Sequence, residues 1–213
     1  LNELYNFQLD KFASAEAQIS NLSDDIAYLS HDIDDGLRAE LFSVKSLSEL
    51  PIISDILHKI KSEHPELSLG RLANELTRRL ISVFVNDLLD HSSNLLNDVS
   101  PKSSDDVREA DYALISHSEA MKKALTEIRS FLFTNMWRHY RVNRMTNKAQ
   151  KLVKELFLEF FQTPSLLPTH WQNQILNEFN LKKKDVCKAR IIADYIASLT
   201  DREAMLEHDR LFI

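Results

Sequence analysis

The sequence predicts an all-α protein, and three observations support this fold class. The 213 residues include only 2 glycines and 5 prolines, too few for the tight turns of a hairpin-rich fold. Apolar residues recur at helical spacing through most of the chain, and no stretch shows a sustained period of two. The length suits one large domain or two small ones, and it is sufficient to bury a substantial core.

The predicted helices follow one another with recognisable start and stop signals. The first is expected over residues 13–35 and should end at Gly36, the residue best able to adopt the left-handed cap conformation. The second should begin at Ser48, carry Pro51 in its first turn and end near His64. The remaining predicted helices cover residues 68–97, 119–136, 142–162, 184–199 and 202–212, and residues 100–106 are the clearest loop.

Composition and charge exclude several classes of protein. The formal net charge of −6 argues against a generally basic nucleic-acid binder, although a local basic patch is compatible with it. The single cysteine, Cys187, cannot form an internal disulfide, which fits a reducing cytoplasm. No apolar run approaches the ~18 residues that a membrane span needs, and no signal-peptide pattern is present. We therefore expect a cytoplasmic protein with no membrane association.

The segment DDIAYLSHDIDDG (residues 24–36) gathers ionisable side chains on one side of the first predicted helix. Residues four apart advance by about 40° around a helix axis, so Asp24, Tyr28 and Asp32 form one row, here called the acidic ridge. Carboxylates can bind a divalent cation, and a phenol or a carboxylate can hydrogen-bond a hydroxyl. A solvated acidic face is the alternative, although clustered acids near a helix C-terminus repel one another and oppose the helix dipole.

Four segments of the chain carry a recognisable pattern. They are EAQISNLSDDIAYLSHDIDDGLR (16–38), FLFTNMWRHYRVNR (131–144), ADYIASLTDREAMLEHDRLF (193–212) and, more weakly, HSEAMKKAL (117–125). Together they resemble the deoxyguanosine triphosphate triphosphohydrolase-like proteins of the HD superfamily, over nearly the whole chain. The resemblance implies an HD-domain-like helical bundle. Within it, residues of about 1–99 would end the set of active-site helices, and about 117–213 would form a C-terminal helical subdomain.

The resemblance also implies a metal-dependent enzyme that cleaves a deoxynucleoside triphosphate to a deoxynucleoside and tripolyphosphate. In this family a His, a His-Asp pair and a later Asp hold a divalent cation, which here would be Mg²⁺, Mn²⁺ or a transition metal. The later Asp precedes a Tyr by four residues and another Asp by eight, and Asp24, Tyr28 and Asp32 match that pattern. By analogy Asp24 would bind the metal, while Tyr28 and Asp32 would contact the deoxyribose around its 3′-hydroxyl.

The other metal ligands of the family are missing from this sequence. His31 and Asp32 spell "HD", but the family's metal doublet belongs to an earlier segment, and His31 is expected at the surface or at the pocket edge. The chain begins with Leu1 rather than Met. We therefore expect a C-terminal portion of a longer enzyme, with the catalytic residues upstream of residue 1 and no activity in this chain alone. A non-catalytic oligomerisation or nucleic-acid-binding module on the same scaffold is the alternative.

Two groups of basic residues are candidates for contacts with phosphate. The α-phosphorus is the atom expected to be attacked in this family, so cationic side chains should surround the triphosphate. Arg78 and Arg79 are candidates, although an ion-paired or solvated face is the simpler interpretation. The second group is a stripe interleaved with Trp137 and Tyr140, and it suits an allosteric nucleotide or single-stranded nucleic acid unless it is merely solvated. Its cations are Arg138, Arg141, Arg144, Lys148 and Lys151.

The C-terminal motif and the family's assembly give two further expectations. Asp194, Tyr195 and Asp201 lie in the C-terminal motif and are expected to fix the last helices against the active-site domain. Related proteins form oligomers, often hexamers, so a homo-oligomer that takes a dNTP substrate is expected.

Overall fold

The computed structural model describes residues 4, 5, 7–178 and 184–212 and contains only helical elements in these parts of the chain. The all-α prediction is therefore confirmed. In the part of the chain that the structure describes, each helix is too short or too polar to span a bilayer. The chain divides into two compact units, Leu1–His139 and Tyr140–Ile213. The subdivision expected from the sequence lay earlier, between residues 99 and 117.

The first unit is built around two long helices that pack along their length. Arg38, near the end of the first long helix, donates a hydrogen bond to Asn74, near the start of the second. The two helices therefore run antiparallel. Their core side chains include Ile33, Leu80 and Phe84, all with 0% exposure. In chain order the described helices are α1 (Ala15–Arg38), α2 (Val44–Leu47), α3 (Pro51–Glu63), α4 (Leu69–Val99), α5 (Ser104–Arg108) and α6 (Glu119–Leu132), followed by a π-helical turn (Phe133–Trp137).

Helix α1 runs past Gly36, so the prediction that Gly36 ends it is wrong. The left-handed position falls at Glu40, with φ of 55°. The backbone N–H of Leu41 bonds to the carbonyl of Gly36 at 2.9 Å, and that of Glu40 bonds to Leu37 at 3.2 Å. This pair of bonds is a Schellman motif, which satisfies the last carbonyls of the helix. The cap therefore forms four residues later than expected, on a non-glycine residue.

Position 36 requires glycine because of tertiary packing rather than because of a turn. It is buried, and a Cβ atom added to it would stand 2.3 Å from the ring of Phe42. That ring packs edge-to-face against Phe131 of α6, with the two centroids 5.1 Å apart. Phe42 therefore has little room to move away from a larger residue at position 36.

Gly36→Ala is expected to destabilise the first unit, even though alanine favours helices. Alanine gains roughly 1 kcal/mol over glycine inside a helix, whereas overpacking a filled site costs about 1–3 kcal/mol. The contact with Phe42 should dominate, so we expect the free energy of unfolding in urea to fall. Gly70→Ala is the matched control, because a Cβ there meets nothing within 4 Å. Equal stability of the two variants would contradict the packing role of Gly36.

Other boundaries in this unit also differ from the predictions. α3 begins at Pro51 rather than at Ser48, because the preceding residues form the separate short helix α2. α4 begins at Leu69, one residue after the predicted start at Ser68. The segment expected to be a loop contains the start of α5, where Ser103 and Asp106 form a capping box. Their spacing of three residues was a sequence signal for this helix.

The start of α6 is joined to α4 by a hydrogen-bonded cluster. The Oγ–H of Ser118 donates to Oδ1 of Asp87 at 2.5 Å, and Nδ1 of the buried His117 lies 2.9 Å from Oδ2. Burial raises the pKa of the Asp87 carboxyl, but the hydrogen bonds from Ser118 and His117 outweigh it and leave the pKa below its usual value. Ser118 also caps α6. His117 and Ser118 therefore link the start of α6 to α4.

The second unit has its own core. Phe160 has 0% exposure, and Tyr195 packs edge-to-face on it with centroids 5.3 Å apart. Burial raises the pKa of Tyr195. The role expected for Tyr195, to fix the last helices against the active-site domain, stays a prediction. Asp194 pairs with Arg190 at 2.9 Å. The described elements are α7 (Tyr140–Gln162), a 3₁₀ turn (Pro164–Leu166), α8 (Thr169–Glu178), α9 (Lys184–Ser198) and α10 (Asp201–Phe212), of which α8 was not predicted.

Candidate active site

Helix α1 presents the acidic ridge on the face opposite its core side chains. Ile26, Leu29 and Ile33 are buried on one side, whereas Asp24 is exposed on the other and Tyr28 is 65% exposed. The helical alignment expected from the spacing is present, since all three ridge residues lie within the unbroken helix Ala15–Arg38. The Asp24 side chain makes no hydrogen bond or ion pair with any described residue. Its carboxylate can therefore accept a ligand without first releasing a partner.

Asp32 differs from Asp24 because it is half-buried and has a partner. The indole Nε1–H of Trp137 donates a hydrogen bond of 2.7 Å to its Oδ2 atom. Trp137 is the last residue of the π-helical turn, in which the backbone N–H of Arg138 bonds to the carbonyl of Phe133 at 3.0 Å. Sequence reasoning placed Trp137 within a basic stripe and missed this contact. Neither spacing nor composition gives a signal for it.

A second link joins α1 to α6 beside the ridge. The guanidinium of Arg129 pairs with Oδ2 of Asp25 at 3.0 Å. Asp25 and Asp32 are seven residues apart on α1, and their partners are eight residues apart, so α1 and α6 run side by side in the same direction. The Asp32 end of the acidic ridge therefore adjoins the π-helical turn that follows α6.

Arg78 and Arg79 are engaged in ion pairs inside the first unit. Arg78 bonds to Glu75 at 2.7 and 3.0 Å, and Arg79 bonds to Glu75 at 2.6 Å and also to Glu63 of α3. The bonds from Arg78, followed by those from Arg79, lower the pKa of Glu75 to about 2. Binding a phosphate would require these arginines to exchange a carboxylate for it. Their role as phosphate ligands stays a prediction.

The arrangement around Glu75 predicts a pH-dependent contribution to stability. The pKa of Glu75, about 2, lies below its ordinary value of 4.5. The ionised carboxylate therefore stabilises the fold fully above pH 4.5, and this stabilisation is lost as the pH falls to about 2. The free energy of unfolding of the wild type should therefore exceed that of Glu75→Gln by a constant amount above about pH 5. The difference should shrink towards pH 2, as measured by urea titrations across this range. A difference that is unchanged between pH 6 and pH 3 would contradict the prediction.

The predicted basic stripe is divided between the two units. Arg138 follows the π-helical turn in the first unit, with its guanidinium 5.2 Å from the centroid of the Phe133 ring. In the second unit Arg144 lies over the ring of Tyr140 at 5.0 Å. Four cations lie within about 80° of the α7 surface, and all of them are exposed. They are Arg141, Arg144, Lys148 and Lys151.

The residues of the ridge fit a divalent cation in chemical type. Asp24 offers hard carboxylate oxygens of the kind that Mg²⁺ and Mn²⁺ prefer, and it is exposed and unpaired among the described residues. His31 is exposed seven residues further along α1, which is about two turns. Within the described parts of the chain, no group of three or more His, Cys, Asp or Glu side chains is arranged to hold a metal ion.

The chain is similar to known phosphohydrolase proteins. Residues 115–210 match the family described as the phosphohydrolase-associated domain, which fits an all-α phosphohydrolase. The chain is also similar to several proteins named deoxyguanosinetriphosphate triphosphohydrolase-like protein. That of Caulobacter vibrioides is 40% identical over 208 residues, which is 98% of this chain and 52% of that protein. That of Bordetella pertussis is 42% identical over 199 residues, which is 93% of this chain and 49% of that protein.

The chain belongs to the deoxyguanosinetriphosphate triphosphohydrolase-like family, as the resemblance of its motifs predicted. A third relative, from Nitrosomonas europaea, is 42% identical over 200 residues and is covered to 51% of its length. The chain thus spans about half the length of the curated relatives that it matches.

Proposed function

We propose that the protein containing this chain hydrolyses deoxynucleoside triphosphates to a deoxynucleoside and tripolyphosphate, with a divalent metal bound at Asp24. One observation carries the proposal. The side chains of Asp24, Tyr28 and Asp32 follow one another along one side of α1, and the exposed Asp24 has no partner among the described residues. Membership of a phosphohydrolase family supports the reaction class, and the names of the relatives make dGTP the first substrate to test.

Each residue of the ridge has a distinct role in this proposal. Asp24 would supply a carboxylate ligand to a divalent cation, and the cation would supply hydroxide near neutral pH when bound. Tyr28 offers an exposed ring that can pack against the deoxyribose and a hydroxyl that can hydrogen-bond it. Asp32 accepts a hydrogen bond from the 3′-hydroxyl of the sugar, and this contact fixes the sugar relative to Asp24.

The proposed site needs ligands that the ridge does not provide. One carboxylate cannot hold a catalytic metal alone. We propose that the remaining ligands, a His and a His-Asp pair as in the family pattern, lie in the part of the relatives' length that this chain does not span. On this proposal the 213-residue chain alone is inactive.

The experiment that tests the function identifies the products. The intact protein is incubated with each dNTP in Mg²⁺ or Mn²⁺, and ³¹P NMR distinguishes tripolyphosphate from pyrophosphate and from orthophosphate. Tripolyphosphate together with a free deoxynucleoside supports the proposal. Release of pyrophosphate with a nucleoside monophosphate, or no hydrolysis of any dNTP, contradicts it. The purified 213-residue chain is the matched control, and we expect no turnover from it.

A second candidate function, binding of a polyanion on α7, is favoured by one observation. Lys148 and Lys151 are exposed on the same face of α7 as Arg144, and neither lysine forms an ion pair within the described residues. We propose single-stranded nucleic acid or an allosteric nucleotide as the ligand. Charge reversal at Lys148 and Lys151 should weaken binding of a labelled oligonucleotide and reduce its salt dependence. Oligonucleotide binding that is unchanged by the charge reversal would exclude this surface as the binding site.

A further inference from the structure

We propose that Trp137 is a positioning residue that orients the Asp32 carboxylate towards the substrate's 3′-hydroxyl, an inference that rests on the proposed function. The indole Nε1–H bonds to Oδ2 of Asp32 at 2.7 Å, and no described residue bonds to Oδ1. An indole can only donate, and an ionised carboxylate can only accept, so the contact has one polarity. It fixes the rotation of the carboxylate and leaves Oδ1 available for a second donor, which a sugar hydroxyl provides.

The π-helical turn holds the indole in position for this contact. Helix α6 ends at Leu132, and the bond from the Arg138 N–H to the Phe133 carbonyl encloses one more residue than an α-helical turn does. The ring of Trp137 packs edge-to-face on the ring of Phe133, with centroids 6.5 Å apart and planes 88° apart. Arg138 lies over the same phenyl ring at 5.2 Å. The indole is therefore braced by the turn to which it belongs.

The exposure of the two aromatic rings distinguishes this contact from ordinary core packing. Trp137 is 41% exposed and Phe133 is 49% exposed, so both rings remain accessible at the surface. Both rings line a surface depression of about 440 Å³. Its lining also includes Arg129, which pairs with Asp25 on α1. The depression therefore adjoins the acidic ridge, and Trp137 contacts both Asp32 and the surface that a bound nucleotide would cover.

The test compares substrates that differ only in the 3′-hydroxyl. In the intact protein kcat/KM is measured for dGTP and for 2′,3′-dideoxyguanosine triphosphate. Trp137→Phe keeps an aromatic ring but removes the donor, and we expect it to reduce the preference for dGTP by about tenfold, with little change for the dideoxy analogue. Trp171→Phe makes the same chemical change in the second unit and should leave the preference unaltered.

The outcomes separate this inference from the proposed function. Equal losses of kcat/KM on both substrates would assign Trp137 a merely structural role and overturn the inference, while the proposed function would stand. If the wild-type protein showed no preference for dGTP over the dideoxy analogue, Asp32 would not recognise the 3′-hydroxyl, and the inference would be overturned. A wild-type protein that hydrolyses no dNTP would overturn the proposed function, and the positioning role with it.

A direct measurement covers the case in which Trp137→Phe fails to fold. In the ¹⁵N- and ¹³C-labelled intact protein, triple-resonance spectra assign the indole N–H resonance of Trp137. We expect this resonance to shift on saturation with deoxyguanosine and to shift much less with 2′,3′-dideoxyguanosine. Equal shifts with the two nucleosides, or none with either, would overturn the inference.

Discussion

Asp24→Ala in the intact protein is expected to abolish both metal binding and turnover. The carboxylate is the proposed direct ligand, and the loss of even a residue that supports a ligand costs about 10–100-fold in metal affinity or activity. We therefore expect kcat to fall by more than about 100-fold. Folding should be unaffected, because Asp24 is exposed and its side chain makes no hydrogen bond or ion pair with a described residue.

Asp35→Ala is the matched control for Asp24→Ala. Asp35 is an exposed aspartate of α1, eleven residues further along the same helix, which places it about 16 Å away along the axis. The control removes the same charge from the same surface and should keep both metal content and kcat. Metal content, measured by mass spectrometry, and steady-state kinetics are compared for the two variants. Full metal occupancy in Asp24→Ala, with unchanged turnover, would contradict the assignment of the ligand.

Asp32→Asn is expected to lower kcat/KM by roughly 10- to 150-fold while the metal is retained. Hydrogen bonds to charged groups contribute about 1.5–3 kcal/mol, and 1.36 kcal/mol corresponds to about tenfold in rate. The amide has one oxygen where the carboxylate has two, so it cannot accept from Trp137 through one oxygen and from the sugar through another. The same metal analysis and kinetics apply. If Asp32→Asn lost the metal while Asp24→Ala retained it, the two roles would be reversed.

Most helices could be predicted from the sequence because their signals are local. α4 has apolar residues at helical spacing and begins at Leu69, one residue after its predicted start at Ser68. The end of α1 was not predicted correctly. Glycine is the usual left-handed cap, whereas Gly36 lies inside the helix and is buried against the ring of Phe42. Residues 119–136 were expected to form a single helix. A π-helical turn of five residues is too short to change an apolar period visibly, so the end of α6 was missed.

The candidate site could be predicted only in the part that lies on one helix. The spacing of Asp24, Tyr28 and Asp32 fixes their common face, and the resemblance to a family gives each a role. The partner of Asp32 is 105 residues away in sequence, and no local pattern predicts such a contact. The ion pair from Arg79 to Glu63 joins two helices in the same way. Contacts of this kind depend on how helices pack, and the sequence pattern does not encode that packing residue by residue.

The most direct test of the central claim is a crystal structure of the intact protein soaked with Mn²⁺ and measured for anomalous scattering. We predict an anomalous peak at coordination distance, about 2.0–2.2 Å, from a carboxylate oxygen of Asp24, with Asp32 still hydrogen-bonded to Trp137 and not coordinating. A protein saturated with Mn²⁺ in which Asp24 coordinates no metal would contradict the claim.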